Sequence, residues 1–124
     1  MTTPPHVLSV GNNPALLSSR TLVLRAAGYR VAEARTLEKA MSLVETDSID
    51  VTLICHTTPG DRQNALISAI TVKRRLMPIL YIRSFAFETP PRNCIAIDNE
   101  PETLLKALRQ AIRPPPVKQN VQRE

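Results

Sequence analysis

The sequence is poor in rings and cross-links. Aromatic residues are 3% of the 124 positions, two Tyr and two Phe with no Trp, so the core must be filled by Leu, Ile, Val and Ala. Two cysteines, Cys55 and Cys94, cannot make a disulfide framework and read as reduced thiols of a cytoplasmic protein. No stretch approaches the 18 or so apolar residues of a membrane helix, and Met1 to Pro5 has neither the basic start nor the apolar run of a signal peptide. What is present is 43% hydrophobic and 22% charged residues, with eleven prolines and only three glycines. That balance is globular rather than disordered or fibrous. At roughly 100 to 200 residues per domain, one core is expected, and its aliphatic character is that of a parallel sheet and its covering helices.

Sixteen Lys and Arg against eleven Asp and Glu leave a formal charge of +5, which raises the question of a nucleic-acid or membrane surface. The bases are scattered, at Arg20, Arg25, Arg30, Arg35, Lys39, Arg62, Arg83, Arg92, Lys106 and Arg109 among others. Only Lys73, Arg74 and Arg75 form a run, at an expected helix end, where the helix dipole favours cations. A structural role for the run is preferred to a binding patch, so a nucleic-acid partner is disfavoured and no membrane partner is expected.

Along the chain, apolar stretches of two kinds alternate. HVLSV (6–10) reads as a strand that stops at Gly11, Asn12 and Asn13. Asn13 then fits an N-cap with Pro14 in the first helical position, and Leu16, Leu17, Val23, Leu24 and Ala27 recur at helical spacing as far as Gly28. Tyr29 to Ala34 reads as a second strand, and Thr36 caps a helix whose Leu37, Ala40, Met41 and Val44 share a face. Asp50 to Cys55 is a buried central strand, His56 to Asp61 a loop, and Arg62 to Arg75 a third helix. Pro78 to Ile82 and Cys94 to Ile97 are short strands, and Pro101 to Ile112 is an amphipathic helix with Leu104, Leu105, Leu108 and Ile112 on one stripe.

Five strands alternating with helices demand a parallel sheet covered on both faces. The expected fold is α/β, a flavodoxin-like doubly wound five-stranded sheet in the order 2-1-3-4-5. Residues 1–5 read as a disordered start, 6–113 as the domain and 114–124 as a proline-rich flexible tail. In such sheets a site lies at the carboxyl ends of the strands, which here means Gly11 to Asn13, Cys55 to Asp61, Arg83, Ser84 and Ile97 to Glu100.

From about His6 to Arg113 the chain resembles the receiver domain of bacterial response regulators. The blocks that carry the resemblance are NPALL (13–17), AGYRV (27–31), DVTLICHTTPG (50–60), PILYIRS (78–84) and PETLLKAL (101–108). None is specific alone; their order and spacing are. The resemblance implies a module that accepts a phosphoryl group on an aspartate ending the third strand. It also implies a divalent metal held by that aspartate and by an acidic pair after the first strand, since a hard cation takes oxygen ligands and phosphoryl transfer is positioning and charge neutralisation.

This sequence departs from that pattern at most of its positions. The acidic pair falls on Gly11 and Asn12, the phosphoacceptor position on Cys55, the hydroxyl residue ending the fourth strand on Arg83, and the lysine ending the fifth on or beside Ile97. Pro59 and Gly60 stand where the family has them. No Mg²⁺, no other cofactor, no phosphorylation and no catalysis are therefore expected. Between Ser84 and Asn93 the segment SFAFETPPRN, with its double proline, leaves the fourth helix of the family shortened or missing. Phe85 and Phe87 then either form a new apolar patch or, as burial favours, fold back over the core.

Cys55 beside His56 at the pocket mouth is read as a buried inert thiol, because neighbouring strand residues point to opposite faces. Cys94 starts one strand while Cys55 ends another, so they are not expected to pair. Arg83 is expected to bridge to Asp98 or Glu100. The sequence thus points to a stand-alone, degenerate receiver that signals by contact with a sensor kinase, another regulator or a second copy. The contact would use the last helix (Leu105, Arg109, Ile112), the segment near Phe85 and Phe87, or the tail. Two alternatives stay open: a small-molecule or anion sensor built on Asn12, Cys55 and Arg83, and a basic nucleic-acid binder.

Overall fold

The alternating stretches become nine elements. In a computed structural model, which describes residues 4–46, 48–84 and 88–112, the order is β1 (His6–Val10), α1 (Pro14–Ala26), β2 (Arg30–Ala34), α2 (Leu37–Val44), β3 (Val51–Cys55), α3 (Gly60–Lys73), β4 (Ile79–Ile82), β5 (Ile95–Ile97) and α4 (Pro101–Ile112). The five strands form one sheet in the order β2-β1-β3-β4-β5, every neighbouring pair parallel. This is the doubly wound arrangement that the sequence predicts.

Period two along the strands splits the core between the two faces. Leu8, Val10, Ile54, Ile79 and Tyr81 meet Ala40 and Val44 of α2 and Leu66, Ile67 and Ile70 of α3. Their odd and even counterparts, Val7, Val51, Leu53, Leu80, Ile82 and Ile97, meet Leu24 of α1 and Leu104 and Leu108 of α4. β3 is buried at all five positions, as a central parallel strand covered on both sides must be.

Local chemistry sets the boundaries. Asn13 caps α1 by accepting from the N–H groups of Ala15 (3.0 Å) and Leu16 (3.2 Å), and Thr36 caps α2 through the N–H of Lys39 (3.2 Å). Gly28, at φ +97°, makes the left-handed turn into β2. Tyr29, Asp50, Pro78 and Cys94, expected as first strand residues, lie just outside β2, β3, β4 and β5. Asp50 instead bonds across the sheet edge, its N–H to His6 O at 2.8 Å and its Oδ2 to the His6 N–H at 2.8 Å.

The third helix is displaced from its expected span, Arg62 to Arg75. It begins at Gly60, because Pro59 at φ −56° presets the first turn and its carbonyl accepts from Gln63 N at 2.9 Å. It ends at Lys73, because Arg74 leaves helical geometry at φ −133°, ψ 64°. The Arg74 guanidinium turns back to the carbonyls of Val44 (3.3 Å) and Ile49 (2.9 Å), and Lys73 pairs with Glu45.

Four helices are present among the described residues, and none lies between β4 and β5. Residues 88–94 run without regular structure, through Pro90 and Pro91 to Asn93 at φ 65°. Phe85 and Phe87 lie outside the described residues, as does the expected tail at 114–124. Of the expected disordered start, Pro4 and Pro5 are described and engaged: Pro5 O accepts from Arg30 N at 2.9 Å and Pro4 O from Arg30 Nε at 3.0 Å, so the paired edge of β2 draws the chain in two residues before β1.

Candidate functional site

The carboxyl ends of β1 and β3 lie side by side, with Val10 in register with Ile54, which places Gly11 and Asn12 against Cys55. Gly11 is buried. A Cβ added there would stand 3.2 Å from Cys55 Cβ and 3.4 Å from both Leu17 Cδ2 and Thr57 Oγ1. Any side chain at position 11, an acidic one included, needs Cys55 to give way.

Thr57 closes the gap. Its Oγ1 accepts from the Asn12 N–H at 3.1 Å and donates to Cys55 Sγ at 3.2 Å, so one hydroxyl ties the loop after β1 to the end of β3. Cys55 is 1% exposed and is a free thiol, as is Cys94. Burial pushes the Cys94 thiol up to about 11, which keeps it protonated at neutral pH.

Arg83 and Ile97 form a second group, one strand further out. Arg83 N donates to Ile97 O at 2.9 Å, and Arg83 Nη2 reaches Asp98 Oδ1 at 2.8 Å. The guanidinium is thus drawn toward the β5 end, to the expected carboxylate. Of the proposed contact residues on α4, Leu105 and Ile112 are half-buried and pack against the α1/α4 side of the core, while Arg109 is exposed.

Sequence reading does not single out two further participants, although Thr57 lies within the Cys55 to Asp61 segment it marks. Thr57 sits in the loop HTTPGD with nothing in its spacing to mark it. Glu88 lies in the proline-rich segment, and its carboxylate accepts from the Tyr81 hydroxyl, from Ser84 N at 2.8 Å and from Ser84 Oγ at 2.9 Å. These bonds, led by the Tyr81 hydroxyl, hold the Glu88 carboxyl below its usual range. Burial first, and then Glu88, push the Tyr81 hydroxyl up to about 12.

The residues at this position lack the carboxylates that a hard cation favours. Gly11, Asn12 and Cys55 bring no carboxylate to the strand ends, and among the described residues no three His, Cys, Asp or Glu side chains come together. A soft sulfur is a poor ligand for Mg²⁺.

Comparison with solved structures places the fold among receiver domains. The signal receiver domain of an HD domain-containing protein from Pseudomonas fluorescens matches with a TM-score of 0.76 at 18% identity, over 90% of this chain and 89% of that one. A chemotaxis response regulator of Vibrio cholerae matches at 0.75 and 23% identity, over 88% and 99%. The receiver domain of a sensor histidine kinase from Pseudomonas aeruginosa, solved with a magnesium ion coordinated in its active-site cleft, matches at 0.76 and 21% identity, over 88% and 98%. At such identities the likeness is one of fold. No protein-family model and no curated protein matches the sequence.

Proposed function

We propose that this receiver fold serves as a signalling module of a two-component or phosphorelay pathway that works by protein–protein contact, without catalysis and without aspartyl phosphorylation. The observation that carries the reading is the Asn12–Thr57–Cys55 bond chain, which occupies the ground where a phosphoacceptor and its metal would have to meet. A thiol cannot form an acyl phosphate, and without carboxylate ligands no Mg²⁺ is held to neutralise a transferring phosphoryl group. The partner is a sensor kinase, another regulator or a second copy, met in the cytoplasm. Contact through α4 would rest on exposed Arg109 more than on Leu105 and Ile112, whose apolar surface is already partly used by the core.

Incubation of the folded chain with acetyl phosphate and Mg²⁺, followed by intact-mass measurement, is expected to return the unmodified mass. Thermal stability is expected to be the same with and without Mg²⁺. A phosphoryl adduct on the folded chain would overturn the reading.

A further inference from the structure

The inward stripe of α1 runs Leu17, Arg20, Thr21 and Leu24, so a guanidinium occupies a position where helical spacing asks for a hydrocarbon. Arg20 is only 6% exposed. Its Nη2 donates to Asn99 Oδ1 at 2.8 Å, its Nε is buried with no acceptor, and no carboxylate among the described residues pairs with it. Arginine keeps its charge at every accessible pH, and a buried charge without a counter-charge destabilises the fold that holds it.

Beside Arg20 opens a cavity of about 190 Å³ between α1 and the start of α4. Leu16, Val23, Ile82 and Leu104 give it apolar walls, and Arg20 and Asn99 give it polar ones. Cys55 does not line it; the cavity lies at the β4 and β5 ends, beside Ile82 and Asp98 to Glu100, and apart from Gly11, Asn12 and Cys55. The volume exceeds the roughly 150 Å³ in which a protein interior accommodates benzene. Two carboxylates share the rim: Asp98, held by Arg83, and exposed Glu100. They disfavour an ion of higher negative charge while leaving one buried cation to be met.

We propose that this cavity binds a small monocarboxylate with a branched or cyclic hydrocarbon body. Its carboxylate accepts hydrogen bonds from the Arg20 guanidinium, and its body rests on the four apolar side chains. Phosphate and dicarboxylates are turned away by Asp98 and Glu100.

The test is a nitrogen-15 NMR titration of the full chain with 4-methylpentanoate, with the uncharged 4-methylpentanamide and inorganic phosphate as controls. Saturable shifts are expected at the Arg20 side-chain N–H and at the amides of Ile82 and Leu104. The amide should bind about tenfold or more weakly, as loss of a charge-assisted hydrogen bond predicts, and phosphate should leave these resonances in place. Arg20→Met should abolish the response and, relieved of a buried charge, melt no lower than the parent. Leu16→Trp, which fills the cavity from the helix surface and leaves Arg20 intact, should also abolish it. The proposal falls if 4-methylpentanoate at millimolar concentration gives no saturable shifts, if the amide binds equally well, if binding survives Leu16→Trp, or if a folded Arg20→Met variant either still binds or melts below the parent.

Discussion

Thr57 bonds to two groups that the β1/β3 pairing already brings near each other, the Asn12 N–H and the Cys55 thiol. Thr57→Val keeps the shape and removes the hydroxyl, so its cost reports the bridge itself. Loss of about 1–2 kcal/mol in urea-unfolding free energy is expected, with faster reaction of Cys55 toward a thiol reagent as the loop loosens. Unchanged stability and unchanged thiol reactivity would deny the bridge any structural part. The sequence could place Gly11, Asn12 and Cys55 at strand ends, because period two and the turn formers fix where β1 and β3 stop. It could not place Thr57, whose bond to Asn12 spans 45 positions and depends on how a loop folds over a neighbouring strand. Arg20 was hidden differently. Its spacing from Leu17 and Leu24 marks an inward position, but its charge groups it with the solvent-facing bases.

Between β4 and β5 the described residues hold no helix, and a carboxylate ties the segment instead. Glu88 ties back to Ser84 and Tyr81, anchoring the connection at its start, and the two titrating partners give this a pH signature. Tyr81 titrates near 10 when unfolded and at about 12 when folded, so its contribution is complete below pH 10 and is lost as pH rises through about 12. Glu88 is shifted the other way, below its ordinary 4.5, so its contribution is present above that value and is lost as pH falls through the lowered one. Denaturation midpoints measured against pH should show a smaller alkaline decline in Tyr81→Phe than in the parent. The stability gap between the parent and Glu88→Gln should close as pH drops below 4.5; a gap that stays constant would mean the carboxylate charge is not what holds the segment. Proline signalled the missing helix in advance, since Pro90 and Pro91 remove donors and fix φ. The start of α3 was less legible, because Gly60 and Asp61 read as loop residues until Pro59 is seen to preset the turn.

At the scale of the whole molecule, strand order follows from chain order. Short apolar runs joined by helix-length crossovers leave few right-handed solutions, so the sheet was readable while the contents of its site were not. The +5 charge is distributed by the same logic. Lys73 meets Glu45, Arg74 meets two carbonyls, Arg83 meets Asp98 and Arg20 is buried. Of the Lys73–Arg75 run, Lys73 and Arg74 are thus tied into the fold. Gel mobility of mixed duplex DNA at about 0.15 M salt should be unchanged by the protein; retardation that weakens steeply with added salt would show a contiguous phosphate-binding surface instead.

The Thr57 bridge joins groups that are present as soon as the chain has folded, and it needs no donor, metal or enzyme to form. Under the proposed reading, in which no phosphoryl group is accepted at the strand ends, the module keeps no record of a past stimulus there. If contact is its output, its message is carried by the number of copies in the cell, and its timing by synthesis and turnover.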